Sequence, residues 1–143
     1  MTPSSGATPP VVILVRPQLG ENIGAAARAM MNCGLRDMRI VAPRAGWPNP
    51  AAAPMAAGGA SIIENATLHD SIADAAHDLT FLAALSARRR DMPVRGTDPR
   101  GVIPEILAHG GKAGLMFGPE QSGLDNEDVV RAAHHQHLAW RGA

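Results

Sequence analysis

Four apolar runs punctuate the chain without alternating: "VVILV" (Val11 to Val15), "MRIVA" (Met38 to Ala42), "LTFLAAL" (Leu79 to Leu85) and "AGLMF" (Ala113 to Phe117). Runs of this length with no polar face predict strands buried on both sides, as in a parallel sheet. Between them the period changes. Ile23, Ala26, Ala27, Met30, Met31 and Gly34 recur at three and four, which predicts a helix from about Glu21 to Asn32, stopped by Gly34. A Pro-rich loop, "PRAGWPNPAAAP", follows the second strand. The pattern then predicts a short helix over 51–57 ended by Gly58 and Gly59, a brief strand in "SIIE", and a helix in "DSIADAAHD" capped by Asp70 or Ser71. Further helices are expected over Pro99 to His109 and in "DNEDVVRAA", with a last strand in "HQHLAW". Strands alternating with helices argue for an α/β fold with a mainly parallel sheet covered by helices.

Composition narrows this picture. The 143 residues suit a single domain, here 11–143, behind a flexible N-terminal tail over 1–10. With two Phe, two Trp and no Tyr, the core must be built from small aliphatic side chains. The one cysteine, Cys33, excludes an internal disulfide and, sitting in the first helix, reads as a small core residue. His134, His135 and His137 lack a carboxylate or thiol partner nearby, so no metal is expected. The first ten residues have no secretory character, and no apolar run nears the roughly 20 residues that span a bilayer. A soluble cytoplasmic protein is the expectation. Thirteen basic and thirteen acidic side chains cancel, so a nucleic-acid partner would have to use a local patch.

Ligands of parallel sheets gather at the carboxyl ends of strands. Three loops lie there: "RPQLGENIG", "SARRR" and "GPEQSGL". The third has the outer spacing of a P-loop but continues with Leu124 and Asp125 instead of Lys and Ser or Thr, and no GxGxxG is present. Arg28 is the odd charge in an alanine-rich helix. It lies off the apolar stripe, and leaning toward the helix start it would pass over Gly24 toward the end of the first strand. A solvated surface arginine, or one paired with Glu21, fits the same position. Arg88, Arg89 and Arg90, with Arg95 and Arg100, form either a patch for an RNA backbone or a solvated basic loop.

Together, "ENIGAAARAM" with "CGL", "LSARRR" and "LMFGPEQSGL", in this order and spacing, resemble the SpoU/TrmH family of the SPOUT superfamily, and most of all its TrmJ-type tRNA methyltransferases. The likeness covers Val11 to Asp128. It implies an α/β knot fold, homodimers, and S-adenosyl-L-methionine-dependent 2′-O-methylation of ribose in RNA, with tRNA foremost and rRNA second. By the same resemblance Arg28 falls on the proposed catalytic position and Asn22 beside it in the RNA-facing site. Leu85, Ser86, Ala87, Gly118, Glu120, Gly123 and Leu124 fall on positions lining the cofactor pocket. The family's third motif, an "SLN"-type segment that threads the knot, is not found up to Ala143, so a C-terminally truncated SPOUT-like domain lacking the knot segment is expected. A non-catalytic RNA-binding or dimerisation module that keeps the fold is the alternative of a different class.

Overall fold

A computed structural model describes residues 9–44, 46–85, 111–118 and 138–141. Six parallel strands form one sheet in the order β3-β2-β1-β5-β4-β6. They are β1 (Val11–Val15), β2 (Met38–Val41), β3 (Thr67–His69), β4 (Phe81–Leu85), β5 (Ala113–Phe117) and β6 (Leu138–Arg141). The helices are α1 (Gly20–Asn32), α2 (Ala52–Ala56), a 3₁₀ turn at Ala57–Gly59, α3 (Ala60–Asn65) and α4 (Ile72–Ala75). The α/β class with a mainly parallel, helix-covered sheet is thus observed.

All of β1 is buried, and its side chains divide between two cores. Val11, Ile13 and Val15 pack with Ile72, Ala75 and Leu79 under α4. Val12 and Leu14 face the other way, onto Ile23, Ala27 and Met30 of α1 and Ala52 and Ile62 beyond it. Chain order explains the two layers: β1, β2 and β3 are linked through α1, α2 and α3 on one face. The chain then returns past β1 to β4 by way of α4 on the other. The direction of winding reverses beside β1, which creates a topological switch point between β1 and β5.

Helix α1 stops as expected, and the structure shows how. Gly34 has φ 76°, Leu35 N–H donates to the Met30 carbonyl at 2.9 Å and Gly34 N–H to that of Met31 at 3.2 Å. This is a Schellman stop, with Leu35 and Met30 brought together across it. Ser71, one of the two expected caps, accepts the Asp74 N–H on its Oγ at 3.0 Å and opens α4.

Three expectations fail. "SIIE" is helical, part of α3, and the strand comes later at Thr67–His69. The β-branched pair favours a strand locally, but a helix inserts Ile62 into the core under α1, and that burial prevails. Gly58 and Gly59 do not end the helical stretch either. Gly59 sits where a Cβ would lie 2.7 Å from the Ala27 carbonyl oxygen, so its service is close packing on α1. Cys33 is exposed instead of core, because it is the C-cap residue, past the last buried turn. The helices expected over 99–109 and in "DNEDVVRAA" lie outside the described residues.

Arg39 is a buried charge that the apolar reading of β2 passes over. Only 6% exposed, it donates to both Asp78 carboxylate oxygens and, at 2.7 Å, to the Ala75 carbonyl. Asp37 and Lys112 complete the cluster, Lys112 Nζ standing 2.9 Å from Asp78. The Arg39 hydrogen bonds hold the Asp78 carboxyl well below the usual range, burial opposes this, and Lys112 adds to it. The Asp78 bond in turn raises Arg39. These groups lie at the amino ends of β2, β4 and β5, away from the carboxyl ends.

Candidate methyltransferase site

Pairing within the sheet places Leu14 of β1 beside Phe117 of β5, and Phe117 beside Leu85 of β4. The three strands that run into the motif-bearing segments therefore end side by side at the carboxyl edge of the sheet, across the switch point. Two expected site residues, Leu85 and Gly118, stand directly at this edge. Ser86, Ala87, Glu120, Gly123, Leu124, Arg88, Arg89 and Arg90 lie outside the described residues.

A groove of about 420 Å³ runs from this edge along the side of α1. Ile23, Ala26, Met30 and Leu115 form its walls, Leu35 its far end, and Pro17, Asn22, Phe117 and Gly118 its mouth. Asn22 brings a carboxamide, a paired donor and acceptor, to that mouth. Phe117 is 37% exposed there, the other phenylalanine, Phe81, being buried. The sequence marks Asn22, but Phe117 belongs to a run that looks wholly buried.

Arg28 is placed differently from the expectation. It is exposed and stands about 9 Å along α1 and some 120° round the helix from Asn22. The groove holds Asn22 but not Arg28. Nor is Gly24 an open track for its side chain. Gly24 is buried against α2, where a Cβ would fall 2.1 Å from the Ala52 carbonyl oxygen and 2.8 Å from Met55 Cβ. The glycine is there for helix contact. Among the described residues the Arg28 side chain has no ion pair, with Glu21 or any other group.

Comparison with known proteins now bears on this edge. Residues 9–142 match the SpoU rRNA Methylase family. The chain belongs to that family. Among its relatives is the tRNA (cytidine/uridine/adenosine-2′-O-)-methyltransferase TrmJ of Pseudomonas aeruginosa, 35% identical over 130 residues, which are 89% of this chain and 50% of that protein. The uncharacterised tRNA/rRNA methyltransferase LasT of Escherichia coli is 40% identical over 127 residues, 85% of this chain and 54% of that one. In three dimensions the chain is similar to the crystal structure of TrmJ from Z. mobilis ZM4, with TM-score 0.88 and 41% identity over 95% of this chain and 59% of that one. A lower likeness, 13% identity and TM-score 0.64, to the SpoU methyltransferase AviRb in complex with AdoMet confirms the fold alone. The chain spans about half the length of the curated relatives it matches. As a SpoU family member it has the SPOUT-like sheet, and among the described residues no helix is long and apolar enough to cross a membrane.

Proposed function

We propose that the chain carries the catalytic domain for S-adenosyl-L-methionine-dependent 2′-O-methylation of ribose in tRNA. One observation carries the reading: β1, β5 and β4, the strands that run into the three family motifs, end side by side at the switch point. The described rim fits a flat nucleoside cofactor, since Gly118 brings main chain without a side chain to the mouth and Phe117 adds apolar surface. Leu85 and Gly118 would hold the cofactor, with Ser86, Ala87, Glu120, Gly123 and Leu124 on the loops that follow. S-adenosylmethionine supplies a methyl group already activated on a sulfonium.

The chain's own task is to hold the ribose hydroxyl in line and to manage the proton it loses. Arg28 is a poor base, because a guanidinium is almost never deprotonated. It acts as a cation, gripping a phosphate next to the target ribose and stabilising charge that forms on the 2′ oxygen. Asn22 orients the ribose from the groove mouth, while Arg88, Arg89 and Arg90 hold the backbone beyond. The 120° between Asn22 and Arg28 favours a homodimer in which Arg28 serves the partner's site. Protein–RNA complexes of this kind belong in the cytoplasm.

Calorimetry with S-adenosylmethionine, followed by transfer of labelled methyl to bulk tRNA, tests the reading. The expected result is saturable binding and transfer that Arg28→Ala abolishes without lowering thermal stability, since Arg28 is exposed and has no ion pair among the described residues. No heat at millimolar cofactor would leave the non-catalytic alternative standing.

A further inference from the structure

Helix α1 carries Asn22 in its first turn, and that turn has no side-chain cap of its own. Leu19 stands at the cap position, and its carbonyl accepts the Asn22 and Ile23 N–H groups at 3.2 and 3.4 Å, at and beyond the long end of the usual range. The hold comes from outside, along the flank of α1 that faces α2. Contact there is at main-chain distance in three places. A Cβ on Gly20 would fall onto the Asn49 carboxamide, one on Gly24 onto the Ala52 carbonyl, and one on Gly59 would lie 2.7 Å from the Ala27 carbonyl oxygen. Of the three, only the first is made by a polar side chain. Gly20 is buried and its φ is not positive, so its lack of a side chain is a matter of space. Asn49 is itself fixed. Its Oδ1 accepts the Ala51 N–H at 2.9 Å and its carbonyl the Ala52 N–H at 3.1 Å, which locks the carboxamide in an Asx turn at the start of α2. Trp47, two residues earlier, packs against the core that α1 covers.

We propose that Asn49 is a positioning residue for methyl transfer: seated on Gly20, its carboxamide sets the rotation of the first turn of α1 and so keeps Asn22 at the groove mouth. The inference rests on the reaction proposed above and extends it to a residue that lies in none of the three family motifs. A side-chain tip stands roughly 5–6 Å from a helix axis, so a rotation of about 10° moves it by about 1 Å. A displacement of that size costs about a hundredfold in rate when it reaches the reacting centre. The main chain at Arg28 is held by the Gly59 contact instead, with the Arg28 nitrogen 3.1 Å from that Cβ position, so the loss falls on turnover and spares RNA binding.

The test compares wild type with Asn49→Ala, Asn49→Asp, Gly20→Ala, the double variant Gly20→Ala/Asn49→Ala, and Asn65→Ala. Hydrogen exchange is read along α1, and methyl transfer to bulk tRNA as kcat and KM. Asn49→Ala should speed exchange in the first turn of α1 about tenfold and leave its last turn unchanged. It should lower kcat about tenfold to hundredfold and hold KM for tRNA within about twofold. Asn49→Asp keeps the acceptor for Ala51 and the shape over Gly20, and should show wild-type exchange and most of the wild-type kcat. Gly20→Ala pushes on the fixed carboxamide and should lose as much as Asn49→Ala. In the double variant the added methyl takes the space the carboxamide left, so kcat should exceed that of either single variant, a non-additivity expected of groups in contact. Asn65, which closes α3 by donating to the Ser61 carbonyl, should be replaceable without effect. Wild-type exchange or wild-type kcat in Asn49→Ala, additive losses in the double variant, or an equal loss in Asn65→Ala overturns the assignment. Lack of transfer by the wild type overturns the reaction reading instead, and the exchange measurement then still decides whether Asn49 holds the first turn.

Discussion

Glycines that look alike in the sequence have opposite reasons for being glycine. At Gly34 a Cβ would meet nothing within 4 Å, and only φ 76° resists a side chain. Gly34→Ala is expected to lower stability by about 1 kcal/mol in urea unfolding, the usual loss for a left-handed cap. At Gly24 the backbone is ordinary and space is lacking, with the Ala52 carbonyl oxygen 2.1 Å from a Cβ. A rigid main-chain atom cannot yield as a side chain can, so Gly24→Ala should cost roughly 3 kcal/mol by the same measurement, at the upper end of overpacking. Reading Gly34 as a helix stop needed only local spacing. Reading Gly24 correctly needed α2, which approaches from more than 25 residues away.

Among the elements, α1 was the most legible and its service to the site the least. Its stripe, start and stop are written in residues three and four apart, so its existence and its buried face follow from the sequence. What lies on each flank does not follow, and the 120° separating Asn22 from Arg28 acquires meaning only once β5 borders one flank and α2 the other. Strand β2 presents the converse. Its apolar run is plain, yet Arg39 is buried in it because Asp78, 39 residues on, supplies the partner. Asp78 titrates below its ordinary value, so its stabilising contribution is complete above the unfolded value near pH 4 and is lost as the pH falls further. Asp78→Asn should therefore lower stability at pH 7 by about 3 kcal/mol, the loss from breaking a largely buried pair. It should also flatten the acid limb of a stability profile between about pH 4 and pH 2.

For the whole molecule, the proposed division of Asn22 and Arg28 between two copies makes a sharp prediction. Asn22→Ala and Arg28→Ala should each be inactive alone, and mixing them should restore activity to about a quarter of wild type, through heterodimers that keep one intact site. Methyl transfer by the mixture measures this, and a mixture as dead as its parts would place both residues in one chain's site. The two ends of the sheet have separate duties in this scheme. Its amino end is held by Arg39, Asp78 and Lys112, and its carboxyl end carries the groove mouth and Asn22.

Apolar runs and three-and-four spacing determined the α/β class, the parallel sheet and the bounds of α1, because those patterns report whether one face or two are buried, a local property. The motif strings determined the family, because their chemistry is carried by residue type and order. Tertiary structure alone decided that "SIIE" is helical, that Gly24 and Gly59 serve helix contacts, that Arg39 is paired, and that Arg28 and Asn22 leave α1 on different flanks. Each of those depends on which distant element comes within a few ångströms. Neighbours of that kind are set by how the sheet orders its strands, and spacing along the chain does not encode them.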